Sequence, residues 1–514
     1  MKKILISLLL AFSVTIGVIY SQEVSQRKDI AVMQVYSSYN IPDAAYMYFD
    51  DALISILSRM KRFQVIGYHY RLDNNSAETF IKKVQEAKKQ AALQNPQYFD
   101  ADLGVAVIPA SEMEKLANSF FVFIPSITGY STKEYKIKIE QKKGNRIVVD
   151  FVTEYQADVS VSIKTITADG NLMDTYMRSE SKKSRTSAID AYQQAALAAL
   201  SGIEFHLRNV EEFKIKSKVL QVKDDLVYLE LGRNLGIKPG YEFFVRKETQ
   251  IAGQFSDTID TALVRVNYVG DKWSSATTIY GYPQANDQLI EAPIMGARFN
   301  IFLGMVPMVI NGSDLTLLYS SPGISFISTE KFKQSSYVFS AGINMEYELG
   351  YAALIDLSIG AIFNDPFAMN LDIGGGYEMY FGRMSVTLGA DLSAVGLIRY
   401  LGTYKNSSEI EINGTTFDDD IRVDLMGATI GLKPKVTFNY QISQHFKIRL
   451  TGGYAFYFLP FYYLKFSSTS DSDTSTTVDT TDSRIKMILN GEESTSLPIS
   501  FSGPFGGLEF ILRF

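Results

Sequence analysis

The stretch Leu508-Glu509-Phe510-Ile511-Leu512-Arg513-Phe514 decides the fold of this chain. Because successive side chains of a β-strand point to opposite faces, one face of this stretch carries only Leu and Phe. The other face carries a carboxylate, an isoleucine and a guanidinium. A transmembrane β-barrel needs such strands, since apolar side chains meet lipid while polar groups face the interior. We expect three residues of the apolar face to form a signal for the barrel-assembly machinery: Phe510, Leu512 and Phe514.

The same alternation recurs through residues 293–514. Apolar residues of one parity alternate with polar residues or glycine of the other over residues 343–349, 369–381, 384–392, 428–438 and 446–458. Short turns at Gly350, Gly382-Arg383 and Ser443-Gln444 alternate with long polar segments at 403–419 and 467–497. Short turns on one side and long loops on the other are typical of outer-membrane barrels. We predict an antiparallel barrel of eight strands, or ten if Ile301–Ile310 and Leu315–Leu318 form an extra hairpin.

Alternation also sends charged side chains into the predicted lumen. The acidic ones are Glu346, Glu348, Asp372, Glu378, Asp391 and Glu509, and the basic ones are Lys433, Lys435, Lys447, Arg449 and Arg513. Acids lie on the earlier strands and bases on the later ones, so closure of the barrel brings the two sets together. An unpaired buried charge costs several kcal/mol, so we expect a structural network of ion pairs. Because side chains just fill an eight-stranded interior, the pattern favours a plugged anchor over an open pore.

The amino-terminus and the composition indicate an exported protein and exclude several kinds of chemistry. Met1-Lys2-Lys3 and the apolar run that follows predict a signal peptide over residues 1–21. The 514 residues contain no cysteine, which excludes disulfides, thiol catalysis, thiolate metal sites and a lipidated amino-terminal Cys. The net charge is −6 without a basic block, which argues against a nucleic-acid partner.

Two further domains precede the predicted barrel. Residues 25–210 alternate strand and helix patterns, then give three long strands and an Ala-rich helix at 186–207, which predicts an α+β domain. Residues 211–292 read as a small β-domain punctuated by Gly232, Gly236 and Gly240. These glycines could cradle a phosphate only if a helix followed them, but residues 241–245 have a strand pattern.

The amino-terminal region resembles a known superfamily. The segments IAVMQVYSS (30–38), DALISILSRMKRFQVIGY (51–68), LANSFFVFIPSITGY (116–130) and ADVSVSIKTITADGNLMDTY (157–176) carry the resemblance. They are similar to the periplasmic domain of the curli assembly/transport superfamily, which includes the amino-terminal part of flagellar assembly protein T. The turn GRNLGIKPG (232–240) resembles the small β-domain of the latter. The resemblance implies a fold and a periplasmic location, but no channel function, because the family's lipidated Cys is missing.

The candidates for chemistry are few. His69, His206 and His445 are scattered, and His445 falls at a short periplasmic turn, away from the outer rim where barrel hydrolases place catalytic groups. Asp418-Asp419-Asp420 lacks the ligand spacing of a calcium loop. We therefore expect no catalytic residues, cofactor or metal.

The predicted function is a non-enzymatic outer-membrane protein that anchors a periplasmic interaction module, with envelope or flagellar assembly suggested by the resemblance. The alternatives are a transport or secretion channel component and an outer-membrane hydrolase. The expected partners are outer-membrane lipid, the barrel-assembly machinery and an unidentified periplasmic protein.

Overall fold

The structure, a computed structural model, covers most of the chain. It describes residues 25–91, 97–103, 107–118, 121–143, 146–167, 169–224, 226–251, 255–310, 313–321, 324–332, 334–406, 409–471, 473–494 and 499–514. The predicted signal peptide lies outside these residues. Two compact units are present, and the second consists of residues 262–265, 277–282 and 294–514.

The amino-terminal region of the first unit is a mixed sheet with helices on both faces. Its elements are β1 (Lys28–Gln34), β2 (Tyr36–Ser37), α1 (Asp43–Arg59), β3 (Phe63–Arg71), α2 (Asn74–Ala91), β4 (Ala101–Asp102), β5 (Val107–Ile108), α3 (Ala110–Asn118), β6 (Phe121–Lys143), β7 (Arg146–Thr167), β8 (Leu172–Ser184), α4 (Ala188–Leu200) and α5 (Ile203–Asn209). The sheet order is β3-β1-β6-β7-β8, and β2 pairs with β6. Strand β1 runs parallel to β3 and β6, whereas β6, β7 and β8 are antiparallel.

Burial on both faces explains the near-continuous apolar run in β1. Ile30 and Val32 pack in one core with α1 and α4, while Ala31 and Met33 pack in a second core with α2 and α3. Such runs are typical of strands covered on both sides. The helix expected over residues 186–207 is instead two helices, α4 and α5, separated by Ser201 and Gly202.

The small β-region is a closed barrel. Its strands are β9 (Lys216–Lys223), β10 (Leu226–Leu229), β11 (Glu242–Ile251), β12 (Phe255–Val269), β13 (Ser274–Tyr280) and β14 (Gln288–Glu291), in the order β10-β13-β12-β11-β14-β9. Gly236 has a φ of +76°, and a Cβ there would lie 1.9 Å from the carbonyl oxygen of Met60, so the turn requires glycine. Strand β11 follows the glycines, so the helix that a phosphate loop needs does not follow them.

The second unit contains the predicted carboxy-terminal barrel and the strands that lie in its long connections. Its elements are β15 (Ala297–Ile310), β16 (Ser313–Ser321), β17 (Ile324–Phe332), β18 (Ser335–Leu349), β19 (Ala353–Phe363), β20 (Phe367–Phe381), β21 (Met384–Tyr404), β22 (Ile410–Ile412), β23 (Thr415–Phe417), β24 (Ile421–Gln441), β25 (Phe446–Ser468), β26 (Ser475–Asp479), β27 (Ile485–Leu489), β28 (Glu492–Ser494), β29 (Ile499–Ser500) and β30 (Gly503–Arg513).

Eight antiparallel strands close this barrel, in the order β18-β19-β20-β21-β24-β25-β30-β15. Closure occurs because β15 pairs with both β18 and β30. The predicted closed eight-stranded barrel is therefore confirmed. The extra hairpin is wrong: Ile301–Ile310 belongs to β15, one of the eight, while Leu315–Leu318 lies in β16, outside the barrel.

The long connections are folded rather than open. Strands β16, β17, β27 and β28 form a four-stranded sheet, and β22 and β23 form a hairpin. Ile412 and Phe417 of that hairpin are fully buried. The segments 403–419 and 467–497, expected as long polar loops, therefore contain strands with buried apolar side chains, although residues 407–408, 472 and 495–498 lie outside the described part.

Candidate functional site in the barrel lumen

The barrel has an apolar exterior. Outward-facing side chains such as Leu392, Met384 and Phe438 are 58–61% exposed, whereas their inward neighbours Asp391 and Ser393 are at most 4% exposed. None of the described helices combines the length and apolar character needed to cross a bilayer. The surface of the barrel presents apolar side chains where a bilayer would require them.

One end of the barrel carries the short turns and both ends of its chain. Gly350 adopts a φ of +77° in the turn between β18 and β19. The amide of Gly296, just before β15, donates to the carbonyl oxygen of Phe514 over 3.1 Å. We call this the short-turn end.

A first group of ion pairs surrounds Arg298 near the short-turn end. The guanidinium, whose side chain has no exposed surface, lies 2.5 Å from Glu378, 2.7 Å from Glu348 and 3.3 Å from Glu346. Lys447 adds a second cation to Glu378 at 2.9 Å. Arg513 lies 3.2 Å from Glu348. Cations from three strands thus neutralise buried carboxylates from two others.

A second group centres on Arg449. Its guanidinium contacts Glu346 and lies 3.1 Å from Glu509. Thr451 donates to the other oxygen of Glu509 over 2.6 Å, so this carboxylate has partners at both oxygens. The group links β18, β25 and β30 across the lumen.

A third group lies farther from the short-turn end. Lys433 is 2.7 Å from Asp372, and Lys435 bridges Asp356 at 2.6 Å and Asp391 at 2.7 Å. Together the three groups contain every lumen charge expected from the sequence: Glu346, Glu348, Asp372, Glu378, Asp391, Glu509, Lys433, Lys435, Lys447, Arg449 and Arg513.

Sequence reasoning missed two members of the network that lie on the barrel strands. Arg298 and Asp356 are 2% and 8% exposed and pair with carboxylates or lysine inside the barrel. The signal for both was present, because Arg298 shares parity with Asn300 in β15 and Asp356 shares parity with Ser358 in β19. Arg298 also places a base on the first barrel strand, so acids and bases are less segregated than expected.

Beyond the ion pairs, the lumen becomes apolar. Val395, Leu397, Val423 and Leu425 face inward and are at most 5% exposed. They belong to one core with the strands of the long connections, as shown by the ring of Phe466, whose centroid lies 4.9 Å from that of Tyr319. We call these buried side chains the apolar layer. It seals the end of the barrel opposite the short turns with packed hydrocarbon.

A small cavity of about 70 Å³ lies among the charged groups. Its lining includes Asp372, Asp391, Lys433, Lys435 and Phe505. A polar space of this size can hold a few water molecules.

Two short segments outside the barrel strands belong to the same unit as the barrel. Residues 262–265 lie in β12, and residues 277–282 comprise the end of β13 and the two residues that follow it. The guanidinium of Arg265, 1% exposed, lies 2.6 Å from Glu348 and donates to the carbonyl oxygen of Tyr351 over 3.0 Å. The ring of Tyr280 lies 4.6 Å from the guanidinium of Arg383.

The first unit has a buried ionic centre of its own at Glu291. Arg62 forms two hydrogen bonds to this carboxylate, at 2.8 and 3.1 Å, and Arg208 donates to it over 2.7 Å. Burial alone would raise the pKa of the Glu291 carboxyl, but the two guanidinium charges outweigh burial and hold the pKa below its ordinary value. The centre joins the turn before β3 and α5 to β14.

The remaining candidates have structural surroundings. The ring of His445 lies 2.9 Å from the carbonyl oxygen of Arg513 at the short-turn end, and His206 lies 2.6 Å from Asp174. Asp419 accepts hydrogen bonds from Ser470 and Ser468, which link two connections of the barrel. These hydrogen bonds lower the pKa of Asp419 to about 2. Within the described residues, no group of three or more His, Asp and Glu side chains is arranged to hold a metal ion.

Comparisons with known proteins return outer-membrane barrels. The amino-terminal barrel domain of Pseudomonas aeruginosa OprF is 8% identical over 42% of this chain and 97% of its own, with a TM-score of 0.17. Neisserial surface protein A is 12% identical over 43% and 100%, with a TM-score of 0.17. The Escherichia coli outer membrane protease OmpT is 9% identical over 43% and 96%, with a TM-score of 0.19. Because these sequence identities and TM-scores are low, the barrel fold rests on the strand pairing within this chain and not on the comparisons.

No protein-family model and no curated sequence matches the chain. The resemblance to flagellar assembly protein T therefore has no support from these comparisons and stays a prediction.

Proposed function

We propose that this chain is a non-enzymatic outer-membrane protein whose barrel anchors a periplasmic interaction module formed by residues 25–292. The observation that carries the proposal is the filled lumen, with buried ion pairs in one layer and packed apolar side chains in the next. A barrel filled in this way suits an anchor better than a conduit. Its apolar exterior suits a bilayer.

The position of the chain ends supports the orientation. The chain enters and leaves the barrel at the short-turn end, where Gly296 bonds to Phe514. Outer-membrane barrels carry their short turns on the periplasmic side. Residues 25–292, which precede the first barrel strand, would then lie in the periplasm, and the folded connections would face outward.

Protease treatment of intact cells tests location and orientation together. We expect any cleavage to fall within the long connections, residues 311–334, 403–419 and 467–497, and residues 25–292 to stay protected. Permeabilised cells provide the control, because there the module must become accessible to the same protease. Cleavage within residues 25–292 in intact cells would contradict the orientation.

Conductance separates an anchor from a channel. The purified full-length chain, added to planar bilayers, should give no stable single-channel openings if the lumen is filled. Regular openings of one amplitude would favour the transport or secretion alternative. A hydrolase would instead show an activity that His445→Ala removes, whereas we expect no such activity.

The periplasmic partner is addressed by cross-linking of the full-length protein in cells, followed by purification. We expect a periplasmic protein attached through residues 25–292, and envelope or flagellar assembly would be indicated by its identity. If only the barrel-assembly machinery and lipid were recovered, the proposed role of the barrel as an anchor would stand. The proposal that residues 25–292 bind a periplasmic protein would be contradicted.

A further inference from the structure

Charge balance in the lumen points to a residue outside the barrel strands. Among the residues that the structure describes, the network contains seven carboxylates, namely Glu346, Glu348, Asp356, Asp372, Glu378, Asp391 and Glu509. Barrel strands supply six cations to it, namely Arg298, Lys433, Lys435, Lys447, Arg449 and Arg513. Among these residues one carboxylate is in excess, and a buried uncompensated charge is strongly destabilising.

Arg265 supplies the seventh cation. It lies in β12, which is not one of the eight barrel strands, and it contacts Glu348 at 2.6 Å with 1% of its side chain exposed. The same terminal nitrogen lies 3.3 Å and 3.0 Å from the carbonyl oxygens of Gly350 and Tyr351. The guanidinium therefore neutralises a carboxylate and donates hydrogen bonds to backbone carbonyl groups in the turn between β18 and β19.

Aromatic packing holds the guanidinium in place. The ring of Tyr380 lies 4.9 Å from it, and the hydroxyl of Tyr380 donates to Glu378 over 2.9 Å. A desolvated guanidinium over an aromatic face gains further attraction from the ring. Arg265 thus contacts one of the three carboxylates that Arg298 pairs with, Glu348, and the ring of Tyr380, which is hydrogen-bonded to a second, Glu378.

We infer that Arg265 completes the ion network of the lumen from outside the barrel, so that the barrel reaches full stability only when β12 is in place. This inference does not depend on the membrane location or on the proposed function. It assigns a role in the barrel to a residue that precedes all eight barrel strands in the sequence.

Heat denaturation of the full-length protein in detergent, followed by the gel mobility of the folded barrel, tests the inference. Arg265→Met should lower the barrel midpoint by roughly 5–10 °C. Arg265→Lys, which keeps the charge, should lower it less. The matched control is Arg246→Met in β11, where an arginine with 31% of its side chain exposed pairs with Asp260 at 2.7 Å, and its midpoint should stay at the wild-type value.

A double-mutant cycle separates charge balance from simple packing. Glu348→Gln removes the excess carboxylate, so Arg265→Met with Glu348→Gln should lose less than the sum of the two single losses. Additive losses, or an unchanged midpoint in Arg265→Met, would overturn the inference. If Arg265→Met does not fold, a folded Arg265→Lys supports the inference, and failure of both variants contradicts the role of charge.

Discussion

Arg298 and Glu378 form an ion pair of 2.5 Å in which neither side chain has exposed surface. The two residues lie on β15 and β20, so the contact crosses the lumen instead of following the strand ladder. Arg298 also contacts Glu346 and Glu348, and one cation therefore compensates three buried carboxylates. We therefore expect the stability of the network to be most sensitive to substitution of Arg298.

Replacement of Arg298 by Met should destabilise the barrel by about 3–5 kcal/mol, because it leaves buried carboxylates without their main partner. Denaturant unfolding in detergent, followed by gel mobility, measures the loss. Arg422→Met is the control, since Arg422 is 51% exposed and its pair with Asp424 should contribute about 1 kcal/mol or less. Equal losses in the two variants would contradict a buried network.

Glu291 predicts a pH dependence in the first unit. Because the pKa of Glu291 is lowered in the folded state, its ion pairs stabilise the fold above the unfolded-state pKa near 4.5 and lose this effect as the pH falls below that value. Glu291→Gln should cost about 3 kcal/mol at pH 7, with the difference from wild type shrinking below pH 4.5.

Fluorescence of Trp273, the single tryptophan, reports unfolding of the first unit in the full-length chain. A matched control is Glu211→Gln, since Glu211 is 51% exposed where it pairs with Lys214. A pH-independent difference between Glu291→Gln and wild type would sink the electrostatic explanation.

Phe417 tests the apolar layer. Its side chain is fully buried in β23, and truncation to Ala should cost about 3–5 kcal/mol locally. We expect faster proteolysis within residues 403–419 while the barrel itself keeps its folded mobility. Phe438→Ala, on the outward face at 58% exposure, should leave this cleavage rate unchanged. Identical cleavage of Phe417→Ala and wild type would show that the connections do not depend on this core.

Leu392 tests contact with lipid. It is 61% exposed near the middle of β21, where arginine on the lipid face of a barrel costs about 2–4 kcal/mol. Leu392→Arg should therefore lower the unfolding free energy measured in lipid vesicles. Ile442→Arg, at a short turn and 43% exposed, should cost about 1 kcal/mol or less. If Leu392→Arg left the unfolding free energy unchanged, this face would contact water and not lipid.

The charged half of the lumen could be predicted because alternation there separates apolar residues from charged ones. The apolar layer could not be predicted. In stretches such as residues 394–398, odd-numbered and even-numbered positions both lack polar side chains, so alternation carries no information about which side faces inward. Arg265 was missed because alternation within the barrel strands carries no information about a residue that precedes all of them.

The aromatic stretch 454–466 shows a second limit of alternation. Ala455 and Phe466 are both buried although they have opposite parity. The pairing of β24 with β25 shifts between Ala428 and Ile430, and such a bulge reverses the faces of all residues that follow. Phe466 therefore packs in the apolar layer instead of facing lipid.

The division of the lumen into two layers bears on how such a chain can diverge. Charged partners such as Lys433 and Asp372 must be exchanged together, since a change in one leaves the other buried without its counter-charge. Residues such as Leu397 and Val423 can be swapped one at a time for side chains of similar volume. Drift should therefore proceed by coordinated pairs near the short turns and by independent single steps at the opposite end.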